Sequence, residues 1–269
     1  MEKVVDATFV INMDSDKDRL IEFDNVMKKL QWSYERHSGI NGKKLFIQDD
    51  IQNAYHLTLK EKYVHLFNFL SYSEIGCMLS HVSLWDKVAN DPTLNKIAIF
   101  EDDARTHLTG NTVIDLLTEF YEYINENNIS EPDMLYLGKC LDNCITYEKV
   151  WNNVYKSSRP LCLHSYIITK KGAQKLLDLG PYTTPIDSVP PDAYKRNGTI
   201  LMAFHPSLFF QDILSNTSNL RSLGLALNNS IECLVSQQHI PEETSYFMGI
   251  VIVALVVICI LFLIFISRG

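Results

Sequence analysis

The sequence predicts a doubly wound α/β fold. Three observations carry that prediction. The first forty residues read strand, helix, strand. A run of four apolar residues, Ile97–Phe100, ends directly in Glu101, Asp102 and Asp103. A later apolar strand, His164–Thr169, leads straight into a helical stretch. Alternation of strand and helix is the signature of a sheet with helices packed on its faces.

The elements follow in order. Val4–Asn12 is β-branched and apolar with a polar end, so it reads as a first strand. Asp14–Asp18 offers helix caps, and Leu20, Phe23, Met27 and Leu30 recur at helical spacing, with Arg19 in the first turns. Trp32–Ser38 is a second strand stopped by Gly39, with a turn at Asn41-Gly42. Lys43–Leu70 has no clear period and reads as a long connection. From Ser73 a helix places Ile75, Leu79, Val82 and Trp85 on one face, with the small Gly76 and Ser80 permitting close approach, and Asp91-Pro92 ends it. Val113–Tyr123 is a helix. Asp133–Leu137 is a short strand ended by Gly138. Lys139–Arg159 is irregular or a hairpin, with Thr146–Val150 and Asn153–Tyr155 able to pair. Lys170–Leu179 is a helix, Thr183–Pro191 a proline-rich shaped loop containing Asp187, and Thr199–Phe204 a last strand.

The acidic triplet is the strongest chemical signal. Three adjacent carboxylates at the end of a buried strand repel one another and resist desolvation, so they are a poor choice for stability alone. Two readings fit the string: a solvated acidic turn, or oxygen ligands for a hard divalent cation such as Mg²⁺ or Mn²⁺. In open α/β sheets ligands bind beyond the carboxyl ends of the strands, which is where these acids fall.

The whole-chain composition narrows the class. The 269 residues allow one domain of roughly 200–240 residues plus an appendage. A net charge of −8 argues against a nucleic-acid binder, because such affinity comes from Lys and Arg meeting phosphates. Six dispersed cysteines contain no Cys-x-x-Cys pair, which disfavours a zinc ribbon or redox motif. Cys140 and Cys144 are near enough in sequence to bridge, although a reduced pair is the expectation. The amino terminus has no apolar core of a signal peptide. Phe247–Ile266 is an uncharged apolar run of twenty residues, enough to cross a hydrocarbon core about 30 Å thick. The expected layout is a domain at 1–236, a linker at 237–246 and a transmembrane helix at 247–266. The simplest topology is a single-pass tail anchor with the domain in the cytosol. Glu242 and Glu243 before the span and Arg268 after it favour the opposite, lumenal, placement. Sequons beginning at Asn128, Asn197, Asn216 and Asn228 matter only in that case.

Five strings in order carry a family resemblance: FVINMDSDKDRL at Phe9–Leu20, SEIGCMLSHVSLW at Ser73–Trp85, IAIFEDDA at Ile97–Ala104, DMLYLG at Asp133–Gly138, and SYIITKKGAQKLL at Ser165–Leu177 followed by Pro185-Ile186-Asp187. Together they resemble glycosyltransferase family 25, which contains bacterial lipopolysaccharide glycosyltransferases and procollagen galactosyltransferases. The resemblance spans about Phe9 to Gln211. It implies a GT-A type, Rossmann-like domain that binds a nucleotide-sugar with a divalent metal, usually Mn²⁺. It implies that Glu101, Asp102 and Asp103 supply the metal ligands, with Asp103 favoured. It places Asp187 as the base that deprotonates the acceptor hydroxyl, and Asn12, Arg19, Ser80 and His81 around the donor. Arg36 is a weaker donor-site candidate, and Gly172 is expected at a helix packing point near the donor pocket. The segment Ser188–Arg196 departs from the family pattern, which leaves the acceptor pocket undefined.

The resulting expectation is a hexosyltransferase, inverting, using Mn²⁺ (or Mg²⁺) and a UDP-hexose, with galactose or glucose as the sugar. Its acceptor would be a glycan, a lipid-linked glycan or a protein, and its partner surface a membrane rather than nucleic acid. The alternative is a catalytically silent, membrane-anchored module that binds sugar nucleotides. A metal-dependent nucleotidyltransferase or phosphatase would also want strand-end acids, but would leave the helix strings unexplained.

Overall fold

Ala7–Asn12 (β1), Lys17–Leu30 (α1) and Glu35–Ser38 (β2) form the opening unit of the computed structural model, which describes residues 4–44, 70–140, 142 and 148–212. Then follow Tyr72–Asn90 (α2), Lys96–Glu101 (β3), Ala104–Arg105 (β4), Thr112–Glu126 (α3) and Met134–Cys140 (β5). A hairpin of Lys149–Trp151 (β6) and Val154–Lys156 (β7) leads to Leu161–Thr169 (β8) and Lys170–Leu177 (α4). Val189–Asn197 (α5), Leu201–Phe204 (β9) and Phe210–Gln211 (β10) close the described chain.

Eight of these strands form one sheet in the order β2-β1-β3-β8-β5-β9-β7-β6, while β10 pairs with β4. β1 runs parallel to β2 and to β3, and β5 runs parallel to β9. β8 runs antiparallel between β3 and β5. The sheet is therefore mixed and Rossmann-like. A parallel return from β5 to β8 would need a crossover of a dozen or more residues, usually helical. The intervening chain holds only the β6–β7 hairpin among its described residues, so β8 starts at the edge where β5 ends. That edge gathers the carboxyl ends of β1, β3 and β5 with the amino end of β8.

Both faces are covered, which explains why β3 reads as a continuous apolar run rather than an alternating one. Ile97 and Ile99 join one core with Met78, Leu79 and Trp85 of α2 and Leu176 of α4. Ala98 and Phe100 join the other with Phe23, Met27 and Leu30 of α1 and Phe120 of α3. α2 begins at Tyr72, because Ser71 and Glu74 form a reciprocal capping box.

Four expectations change. Cys140 bonds to Cys162, not to Cys144, and is not reduced; the partner is brought close by the antiparallel pairing of β5 and β8, where Cys140 lies opposite Leu161. β5 does not stop at Gly138 but continues to Cys140 through register shifts on either side of that residue. The proline-rich stretch is not a loop throughout: Ile186–Ser188 is a 3₁₀ turn and α5 begins at Val189. Pro190 and Pro191 fall in its first turn, where a missing N–H breaks no helical bond. Gly172 packs at the amino end of β5, away from the ligand edge; a Cβ there would stand 2.1 Å from the Asp133 carbonyl oxygen. The apolar run Phe247–Ile266 lies outside the described residues, among which no helix is long and apolar enough to cross a membrane.

The disulfide closes a loop with a sequence separation of 22. The Cys140→Ser/Cys162→Ser double variant is expected to lose ~3 kcal/mol of unfolding free energy by loop-closure entropy. Urea denaturation of oxidised wild type against the variant measures it.

Candidate active site

The site grows from the end of β3. Glu101 is the last strand residue, and the turn after it carries Asp102 and Asp103 back toward β4. Asp102 and Asp103 are 4% and 3% exposed, so the acidic turn is not a solvated one. Three neighbours make that burial tolerable. Arg19 of α1 reaches both carboxylates with its Nη2, touching Asp102 and lying 3.0 Å from Asp103. Asn12, at the end of β1, donates its amide to Asp102 at 2.7 Å and to the Asp16 carbonyl at 2.9 Å. Gln211 of β10 donates to Asp103 at 3.1 Å. Arg36 of β2 in turn donates to the Asn12 side-chain oxygen at 2.9 Å, fixing which way its amide points.

Glu101 is handled differently. It faces His81 of α2, whose Nε2 lies 3.1 Å from Oε1, and keeps 22% of its side chain exposed. Burial works against its ionisation. The hydrogen bond from His81, with the charge of Arg19, nevertheless holds it below the usual carboxylate value. The other acids move the opposite way. Burial raises Asp102 despite the hydrogen bond from Asn12 and the charge of Arg19. Burial and the charge of Glu101 push Asp103 up to about 7. Asp187, on the 3₁₀ turn, is raised by burial and also by Glu101, against a hydrogen bond from the Cys162 backbone amide. The edge thus carries more negative charge than Arg19 neutralises.

A cleft of about 480 Å³ opens beside these acids. Arg19, Ser80, His81, Glu101 and Asp102 line it, with Asp16 and the segment Ile40–Lys43. Two glycines let that segment lie directly on α2. A Cβ on Gly42 would stand 1.9 Å from the Tyr72 carbonyl oxygen, and one on Gly76 would stand 2.4 Å from that of Ile40. Ser80 pins the same wall, accepting from the Ile40 amide at 2.8 Å and donating to the Gly76 carbonyl at 2.7 Å. Its hydroxyl is a structural tie as well as a lining group. Asn12, Asp103 and Asp187 are brought to the same strand edge but do not line this cleft. Sequence reasoning missed Gln211, a polar side chain in a weakly patterned segment, and Tyr166, a hydroxyl hidden in the apolar string of β8. A tyrosine among aliphatic strand residues is itself a signal of a polar contact.

The donor set fits a hard cation. All three acids offer oxygen, and Asp103 Oδ1 is buried without a hydrogen-bond partner among the described residues. An orphaned carboxylate oxygen beside surplus negative charge is what a metal ligand looks like in the absence of its ion. Cys77, His81 and Glu101 form a second cluster, each with one ligand-type atom within 4.8 Å of the others.

With that geometry in place, the sequence comparisons decide the family. The profile of glycosyltransferase family 25 (LPS biosynthesis protein) matches residues 5–190. The chain belongs to glycosyltransferase family 25. The family match includes every candidate residue from Asn12 to Asp187, while Gln211 lies beyond it. Among similar proteins, procollagen galactosyltransferase 1-A of Xenopus laevis is 25% identical over 197 residues, covering 71% of this chain and 31% of that protein. Procollagen galactosyltransferase 2 of Homo sapiens is 26% identical over 200 residues, with the same coverages of 71% and 31%. A putative glycosyltransferase of Haemophilus influenzae is 34% identical over 155 residues, covering 56% of this chain and 52% of that protein. The chain thus spans about a third of the length of the procollagen galactosyltransferases it matches.

The Asp103 carboxyl predicts a pH dependence. It titrates at about 7 in the folded protein and near 3.9 when unfolded. The metal-free folded state then holds the extra proton between those values. Its stabilising contribution is complete below about pH 4 and is lost as pH rises through about 7, with a slope of up to ~1.4 kcal/mol per pH unit. Denaturant titrations of metal-free protein from pH 5 to 8 are expected to show this decline, and Asp103→Asn to flatten it.

Proposed function

We propose that this chain is a metal-dependent glycosyltransferase that moves a hexose from a UDP-sugar to a hydroxyl acceptor, in a GT-A type arrangement. One observation carries the reading: a surplus of carboxylate at the end of β3, with Asp102 and Asp103 buried, beside a cleft of about 480 Å³. A volume of that order suits a small organic ligand. The similarity to procollagen galactosyltransferases favours galactose as the sugar.

Glu101 and Asp103 would hold the divalent cation, Mn²⁺ or Mg²⁺, with Asp102 beside them. When bound, such a cation offsets the negative charge that builds on a diphosphate leaving group. Arg19 adds fixed positive charge at the same edge and lines the cleft. Asn12 and Arg36 act through Asp102 by keeping its carboxylate oriented. Ser80 shapes the wall on which the donor would rest. Asp187, buried and raised in pKa, is suited to take the proton of an acceptor hydroxyl that attacks from the face opposite the leaving group, giving inversion. Ser188 and α5 follow it directly, so their surface would border the acceptor. The acceptor class is a glycan, a lipid-linked glycan or a protein. We further propose the domain layout 1–236, 237–246 and 247–266, in which the apolar run Phe247–Ile266 tethers the enzyme to a membrane and raises its concentration near a membrane-bound acceptor.

The test is nucleotide release by the purified full chain in mild detergent, with Mn²⁺ and a panel of UDP- and GDP-sugars. Release is expected with at least one UDP-hexose, falling about 10²–10³-fold in Asp103→Ala. Asp187→Asn is expected to lower transfer about 10²–10⁴-fold through kcat, with donor KM little changed. Tight UDP-sugar binding without turnover would favour a silent binding module. Absence of binding to any sugar nucleotide would overturn the transferase reading.

A further inference from the structure

A chain of hydrogen bonds runs inward from Glu101 and ends in the core. Glu101 Oε1 lies 3.1 Å from His81 Nε2. His81 Nδ1 lies 2.9 Å from the Tyr166 hydroxyl. The Trp85 indole N–H donates to that same hydroxyl at 2.8 Å. His81, Trp85 and Tyr166 are all fully buried, so water does not complete their bonding.

The order of donors in this chain is fixed by its inner end. An indole nitrogen can only donate. Tyr166 must therefore accept from Trp85. Its own hydrogen then needs an acceptor, and His81 Nδ1 is the one within reach among the described residues. Burial holds the Tyr166 phenol well above its usual pKa, so that hydrogen is present. With Nδ1 accepting, the hydrogen of a neutral imidazole sits on Nε2 and points at Glu101.

We infer that Trp85 and Tyr166 are positioning residues that lock His81 in its Nε2–H tautomer, making it a hydrogen-bond donor to Glu101 rather than a metal ligand. A protonated ring nitrogen has no lone pair to give a cation. The lock thus disarms the Cys77–His81–Glu101 cluster, whose sulfur and nitrogen would otherwise suit a softer ion such as Zn²⁺. It also fixes one oxygen of Glu101 and leaves the other for the cleft. Selection of a hard, oxygen-bound cation is built into the core of the sheet, two side chains away from the ligand. This rests on the proposed metal role of Glu101, but the tautomer can be read without any metal.

The experiment is long-range ¹H–¹⁵N spectroscopy of the metal-free full chain near neutral pH, with His81 assigned by its loss in His81→Asn. The expected spectrum shows a protonated Nε2 and an unprotonated Nδ1. A His81 carrying its proton on Nδ1, or on both nitrogens, would overturn the inference without any variant. In Tyr166→Phe the Nδ1 acceptor loses its donor, so both tautomers are expected. Mn²⁺ affinity, measured by titration calorimetry, is expected to fall about 10–100-fold, as is usual when an outer partner of a ligand is removed. Trp85→Phe frees the Tyr166 hydroxyl to accept from His81 and is expected to mix the tautomers as well. Variants that keep both the wild-type tautomer and the wild-type Mn²⁺ affinity would overturn the positioning role. The expected tautomer in a wild type that binds no Mn²⁺ would instead overturn the metal reading and leave the lock standing.

Discussion

The contact of Arg19 with Asp102 and Asp103 is the constraint from which the site follows. Burying an ion costs several kcal/mol even after relaxation, and here two adjacent carboxylates leave water together. Arg19 meets both through one nitrogen, Nη2, which stands between the two carboxylates. The same contact ties the first turn of α1 to the turn after β3, beside the parallel pairing of β1 with β3 that docks the opening unit on the sheet. One cation against this many acids leaves a deficit. Burial first, and the charge of Glu101 after it, raise Asp102, Asp103 and Asp187.

Around that contact the edge is divided into two kinds of carboxylate. Asp102 is committed to the protein through Asn12 and Arg19, so its oxygens are largely used. Glu101 and Asp103 each keep an oxygen uncommitted within the described structure, and these are the groups available to an incoming charge. One wall of the cleft beside them is a backbone segment held close to a helix. The Ile40–Lys43 segment lies on α2 because Gly42 and Gly76 lack a Cβ, and Ser80 ties the two together.

Much of this was legible along the chain. The helical spacing of Phe23, Met27 and Leu30 gave α1 and its buried face. The Ile97–Phe100 run gave a strand buried on both sides, and the acids after it marked the ligand edge. The five strings were enough to reach the family, because each encodes a local element whose period or turn chemistry is short range. Where local reading failed, distant partners intervened. Gly138 did not end β5, since pairing with β8 sustains the strand through its irregularities. Pro190 and Pro191 opened a helix because the 3₁₀ turn before them delivers the chain already bent.

By itself, then, the sequence determined the alternation of strands and helices, the family, and the acidic strand end as the place of interest. These depend on periodicity and on composition within a few residues. Only the tertiary structure decided how each acid is used. Arg19 and Asp102 are far apart in sequence, Asn12 reaches Asp102 across 90 residues, and Tyr166 reaches His81 across 85. Cys140 found Cys162 instead of its nearer neighbour for the same reason. Hydrogen bonds and ion pairs act over about 3 Å, so their partners are chosen by the packing of the sheet, which no local pattern in the chain records.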